Sequence, residues 1–78
     1  MIIAVVERDY SVANPDFRDR YIGVPCRSYD EARELCAAHL GRHNEMHVME
    51  YIDNGVHYAE TSGETGEILK EFFVRQIG

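Results

Sequence analysis

An α+β fold, an antiparallel sheet packed on a single helix, is predicted by three features of this 78-residue sequence. Ile2 to Val6 is an apolar, β-branched run of the kind that forms a buried strand. Residues 28–41 carry one capped, amphipathic helix signal. An Asn-Gly pair at positions 54 and 55 sits between two strand-like runs and marks a hairpin. The predicted order is β-β-α-β-β-β within one domain covering residues 1–78.

The first strand, Ile2 to Val6, is followed by Glu7-Arg8-Asp9-Tyr10, which extends it by alternation. Asn14-Pro15-Asp16 is a turn signal inside a charged loop over residues 9–20. Tyr21 to Val24 reads as a second, short strand, which Pro25 is expected to end because proline donates no ladder hydrogen bond. Ser28 then caps a helix over residues 29–40, with Glu31 three positions on completing a capping box. Asp30 and Glu31 suit the positive end of its dipole. Ala32, Leu35, Cys36, His39 and Leu40 fall on one stripe, and Gly41 is the expected stop.

Met46 to Ile52 and Val56 to Thr61 flank Asp53-Asn54-Gly55. A two-residue Asn-Gly loop pairs Asp53 with Val56 and Tyr51 with Tyr58, making the two tyrosines a cross-strand pair. Ser62 to Gly66 is a second turn. In the segment after it, Ile68, Leu69, Phe72 and Phe73, with Ile77, also fit a helix face. The preceding turn and the Phe-Phe-Val run favour a strand over residues 67–74.

Composition limits the chemistry. A chain this short buries roughly 60% of its unfolded surface, so its core is thin and an enclosed catalytic cavity is hard to accommodate. Apolar residues make up 45% and charged residues 28%, which argues for a folded domain rather than disorder. No apolar run approaches the length that spans a bilayer, and no signal-peptide pattern follows Met1, so no membrane role and a cytoplasmic setting are expected. Two cysteines, Cys26 and Cys36, are too few for a disulfide framework and are expected as thiols. The net charge of −6 is unevenly placed. Residues 1–42 carry six basic residues against seven acidic, whereas residues 43–78 carry only Lys70 and Arg75 against seven acidic. An acidic surface of this kind repels nucleic acid and attracts basic protein grooves, so direct nucleic-acid binding is disfavoured.

Chemistry-bearing motifs are sparse. Cys36, His39 and His43 are spaced i, i+3 and i+7, a zinc-like set on one continuous helix. Gly41 is expected to end the helix before His43 joins the stripe, and no fourth ligand stands at a typical spacing, so neither metal nor cofactor is assigned. The serines lack an adjacent base, and Ser28 is already a cap. The carboxylates read as a solvated acidic face rather than an acid–base pair. No catalytic residue is assigned. Phe17, flanked by arginines, fits both a contact hot spot and a cap over an open edge of the core.

The layout as a whole, carried by Ile2–Glu7, the helix Ser28–His39 and the stretch His47–Ala59, resembles the small phage-encoded anti-CRISPR proteins that curl an antiparallel sheet around one helix. That resemblance implies a cytosolic inhibitor of a host CRISPR effector that occupies surfaces otherwise holding nucleic acid. It carries no functional residues over. Some proteins of that plan present Lys-rich surfaces, whereas this chain is acidic, so the expected partner is a protein or ribonucleoprotein with a basic surface. The expected contact face is Glu50, Asp53, Tyr58, Glu60, Glu64 and Glu67, the acids meeting Arg or Lys and Tyr58 supplying buried area. The alternative is a self-associating interaction module that dimerises through an exposed edge at Glu67 to Val74, burying Phe72 or Phe73.

Overall fold

The computed structural model describes residues 1–78, the side chain of Asp53 excepted. Five strands form one fully antiparallel sheet: β1 (Ile3–Asp9), β2 (Asp19–Cys26), β3 (Asn44–Val48), β4 (His57–Ser62) and β5 (Ile68–Gln76). One helix, α1 (Tyr29–Ala38), packs on one face. The predicted α+β class and the order β-β-α-β-β-β stand, and residues 68–76 are a strand. Across the sheet the strands run β2-β1-β5-β4-β3.

This order corrects the expected edge. β5 lies between β1 and β4, with both ladders filled, so the edges are β2 and β3. The physical reason lies in β1. Its run Ile3 to Val6 is buried, so the peptide groups on both of its edges need ladder partners, and β2 supplies one ladder and β5 the other. Phe72 is fully buried beneath the helix, and Phe73 points to the opposite face.

The core lies between sheet and helix. Ile3, Val5, Ile22, Cys26 and Phe72 from the strands meet Ala32 and Cys36 from α1, with Val56 closing one end. The helix begins where its cap predicts. Ser28 Oγ accepts from the Glu31 N–H at 3.2 Å, and Glu31 Oε2 accepts from the Arg27 N–H at 2.8 Å. It ends two residues early, with His39 as the cap residue rather than the last turn.

Two boundaries differ from expectation. β2 runs through Pro25 to Cys26. Pro25 is tolerated because β2 is an edge strand, and because the register slips between the pairs Ile3–Cys26 and Val5–Ile22, which marks a bulge. Gly23 holds that bulge at φ +63°, with Leu35 of the helix packed so close that a Cβ would stand 2.6 Å from its Cδ1. The hairpin register is also different. Val48, not Tyr51, stands opposite Tyr58. Asn54 and Gly55 do adopt the left-handed φ values of +53° and +79°, so the local turn preference is honoured. The strands nonetheless part after Met49, whose N–H donates to the His57 carbonyl at 2.8 Å, and residues 50–56 form a wider loop. Tyr51 is 95% exposed at its tip. Burial decides this: the observed register puts Tyr58 and Met46 against the helix-side core.

The face away from the helix is closed by its own side chains. Arg8 makes a two-pronged pair with Asp19 at 2.8 and 2.9 Å and lies over the Phe73 ring at 5.1 Å. His57 meets the Phe73 ring edge-on at 6.1 Å, and Arg75 covers Tyr21 at 5.8 Å. These groups seal Val6, which is 1% exposed although no second layer covers it.

Candidate functional site: an acidic cavity beyond the helix

Because α1 stops at Ala38, it leaves part of the helix-side face of the sheet uncovered. The strand positions there are polar. Glu7 stands opposite Arg20, Asp9 opposite Lys70, and Lys70 opposite Glu60. A cavity of about 460 Å³ opens at this end, and its walls include Asp9, His39, Asn44, Glu60, Glu67 and Lys70. Three connections frame it: the chain after β1 at Tyr10 and Ser11, the helix C-terminal segment, and the β4–β5 turn. The last two pack tightly, since a Cβ on Gly63 would stand 2.6 Å from the His43 carbonyl oxygen.

Burial of charge is the feature that sets this end apart. Glu7 is 1% exposed and Glu60 is 2% exposed. Glu7 is doubly paired, with Arg20 Nε at 2.9 Å from Oε1 and Lys70 Nζ at 3.7 Å from Oε2. Glu60 is held differently. Its Oε1 accepts from the Gly41 N–H at 2.7 Å, which satisfies a backbone donor just beyond the helix end. Asp9 Oδ1 accepts from both the N–H and the hydroxyl of Ser11, and those bonds hold its carboxyl below the usual carboxylate range. His39 Nδ1 lies 3.0 Å from the Leu35 carbonyl, which fixes the ring across the cavity wall. Among the described residues, no Lys or Arg nitrogen lies within 4 Å of the Asp9, Glu60 or Glu67 carboxylates.

The six residues expected to form one face are divided by the sheet. Glu60 and Glu67 line the cavity, and Glu64 is exposed on the adjoining turn. Glu60 faces inward rather than lying on the open surface, because it pairs with Lys70 on the helix side and Gly41 takes one of its oxygens, so it offers the cavity charge rather than exposed area. Glu50 lies in the β3–β4 connection at the far end of β4, a strand length away. Tyr58 is half-buried in a groove against Arg33 and Met46 of the helix side. The Asp53 side chain lies outside the described residues. Asp9, Asn44 and Lys70 were not singled out by sequence as site residues, and His39 only as one of the zinc-like set with Cys36 and His43. Only the β1–β5 pairing brings Asp9 to Lys70, and no local signal announces a contact across sixty residues.

The other candidates resolve more simply. Cys36 is wholly inside the core, where burial pushes its thiol up to about 12. The Cys26 thiol is also raised, by burial and then by Glu31. Neither is a poised thiolate. Phe17 closes a short 3-10 turn, Pro15–Phe17, and is 74% exposed, so it does not fold back over the core. On the far face, the Tyr10 hydroxyl and His57 Nε2 both bond Glu71. Burial works to raise the Glu71 carboxyl, and these two bonds overcome it to leave the group below its ordinary value. Among the described residues, no helix is long and apolar enough to cross a membrane. Comparison of the chain with protein-family models, curated proteins and solved structures returns no match.

Proposed function

We propose that this protein is a binding protein without chemistry of its own, which docks its cavity end onto a basic surface of a partner macromolecule. One observation carries this reading. Asp9, Glu60 and Glu67 converge on one cavity, and among the described residues no lysine or arginine nitrogen lies within 4 Å of their carboxylates, Lys70 and Arg20 acting on Asp9 only from farther off. Lys70, the cation nearest in the sheet, stands 3.7 Å from Glu7 and is shared between that carboxylate and Asp9, so one cation faces several acids. Carboxylates in a partly enclosed, lower-dielectric site attract Arg and Lys of a partner more strongly than the same groups on a flat surface. Glu64 on the adjoining turn extends the same sign of charge.

The sequence layout narrows the partner to a nucleic-acid-handling complex, an effector of the CRISPR kind, whose basic groove this protein would occupy. Support for that narrower reading comes from the resemblance and from the chain's acidity alone. The test is direct binding to purified, guide-loaded effector complexes across a salt series. Binding that weakens with salt, and that falls with Glu67→Gln and Glu60→Gln but not with Glu50→Gln, is the expected result. Equal losses from Glu50→Gln would overturn the cavity assignment. No binding to any such complex at low salt would overturn the narrower reading.

A further inference from the structure

The two edges of the sheet are not alike. β2 is blunted by the Gly23 bulge and by Pro25, both of which discourage pairing with another strand. β3 has neither. It is regular from Asn44 to Val48, with no register shift, no proline and no lysine. Val48 and Met49 beside it are 47% and 42% exposed.

The direction of its free peptide groups follows from one bond. Met49 N–H donates to the His57 carbonyl, so residue 49 occupies a hydrogen-bonded position against β4. Those positions alternate, so Glu45 and His47 also turn their peptide groups to β4. Asn44, Met46 and Val48 turn theirs outward. The Asn44 N–H is already given to the Gly41 carbonyl at 3.2 Å. What remains free is the N–H and carbonyl of Met46 and Val48, and the carbonyl of Asn44.

We propose that the β3 edge pairs antiparallel with β3 of a second copy of this chain, about a two-fold axis at Met46. In that register Met46 faces Met46 of the second copy and exchanges two main-chain hydrogen bonds with it. Val48 N–H donates to the second copy's Asn44 carbonyl, and the symmetry repeats the bond. Glu45 then stands across from the second copy's His47, twice, in the closer non-hydrogen-bonded type of pair.

Charge selects both the partner and the register. Within one chain, His47 Nε2 already lies 3.3 Å from Glu45 Oε2 on the face away from the helix, so the two side chains are directed to the same place. Sliding the second strand by one pairing step sets Glu45 against Glu45 in one direction, or His47 against His47 in the other. Only the Met46-centred register makes both cross-strand pairs acid against imidazole. An arbitrary strand would have no such complement, whereas the order Glu45-Met46-His47 is its own complement under two-fold symmetry.

A contact of five residues per strand belongs to the small, weak class of interface. The experiment is therefore sedimentation equilibrium up to about 1 mM protein, the weak end of specific association. The expected mass rises from the 9.0 kDa monomer toward twice that value with concentration. Val48→Pro removes an outward N–H and leaves the β4 ladder untouched, so it should weaken association about tenfold or more while the circular dichroism spectrum is kept. Glu45→Arg and His47→Asp should each weaken it, and mixing these two variants should restore a heterodimer, since every cross-strand pair is then again opposite in character. A monomer at every concentration overturns the proposal. So does a dimer that Val48→Pro leaves intact, or a pair of charge variants whose mixture gains nothing. The mixing result is independent of binding to any basic partner.

Discussion

The Glu60 carboxylate and the Gly41 N–H are bonded at 2.7 Å, joining the middle of β4 to the chain just after the helix. The bond gives Glu60 two roles. One oxygen holds the helix terminus, and the carboxylate as a whole contributes charge to the cavity. Glu60→Ala leaves a half-buried backbone donor unsatisfied and should cost about 1–3 kcal/mol. Glu60→Gln keeps an acceptor for Gly41 and should cost less than half as much. Urea unfolding of both variants checks this, and equal losses would mean that charge rather than the hydrogen bond supports the fold.

Glu7 should depend on having two cations. With Arg20 largely exposed, the pair on that side is partly screened, and Lys70 supplies the second contact. Lys70→Met or Arg20→Met alone should cost about 1 kcal/mol, while the double variant strands a buried carboxylate and should cost about 3–5 kcal/mol. Chemical denaturation of the four-member cycle measures the excess, and simple additivity would show that water reaches Glu7.

Gly23 is required twice over, by its left-handed backbone and by the approach of Leu35. Gly23→Ala must strain the left-handed backbone of the bulge and make the Leu35 side chain shift, and should destabilise by about 1–3 kcal/mol. Tyr51→Ala, at a residue that touches almost nothing, should fall within about 0.5 kcal/mol of zero. Thermal melts of the two variants test the bulge and the hairpin register together.

The pH profile should show two flanks. Asp9, Asp19 and Glu71 have carboxyls held below their ordinary values, Asp19 by its bonds to Arg8. Groups lowered in the folded state stabilise above the usual carboxylate range, and that stability is lost as pH falls through that range and then through their lower folded values. Cys36 is the opposite case. Its thiol is raised from 9.0 to about 12 by burial, so unfolded chains ionise first and stability falls as pH rises from 9 toward 12. Both flanks can be read from melting temperature against pH. A thiol reagent at neutral pH should label Cys36 only in denaturant, and native-state labelling would contradict its burial.

Local chemistry was legible wherever a single segment settles its own shape. The Ser28 cap appears as expected, while Glu31 reaches back one residue farther than a capping box does, to the Arg27 N–H; the turn at Asn14-Pro15 also appears, where Asn14 Oδ1 accepts from the Asp16 N–H. The Asn54-Gly55 pair took its left-handed angles, yet it did not set the register of the strands beside it. A two-residue turn offers about 1 kcal/mol of preference, less than the burial of Tyr58 and Met46 against the core. The strand state of residues 68–76 could be favoured over a helix from the Phe-Phe-Val run, but its place in the sheet could not.

The sequence by itself determined the class, the element order, the capped helix and the acidity of the second half. These rest on periodicity, composition and contacts a few residues apart. The tertiary structure alone decided that β5 is central, that Asp9, Glu60 and Glu67 share a cavity, and that Glu50 does not. Each depends on which strands pair. Pairing is chosen by the burial of whole faces at once, a collective quantity that no single segment carries.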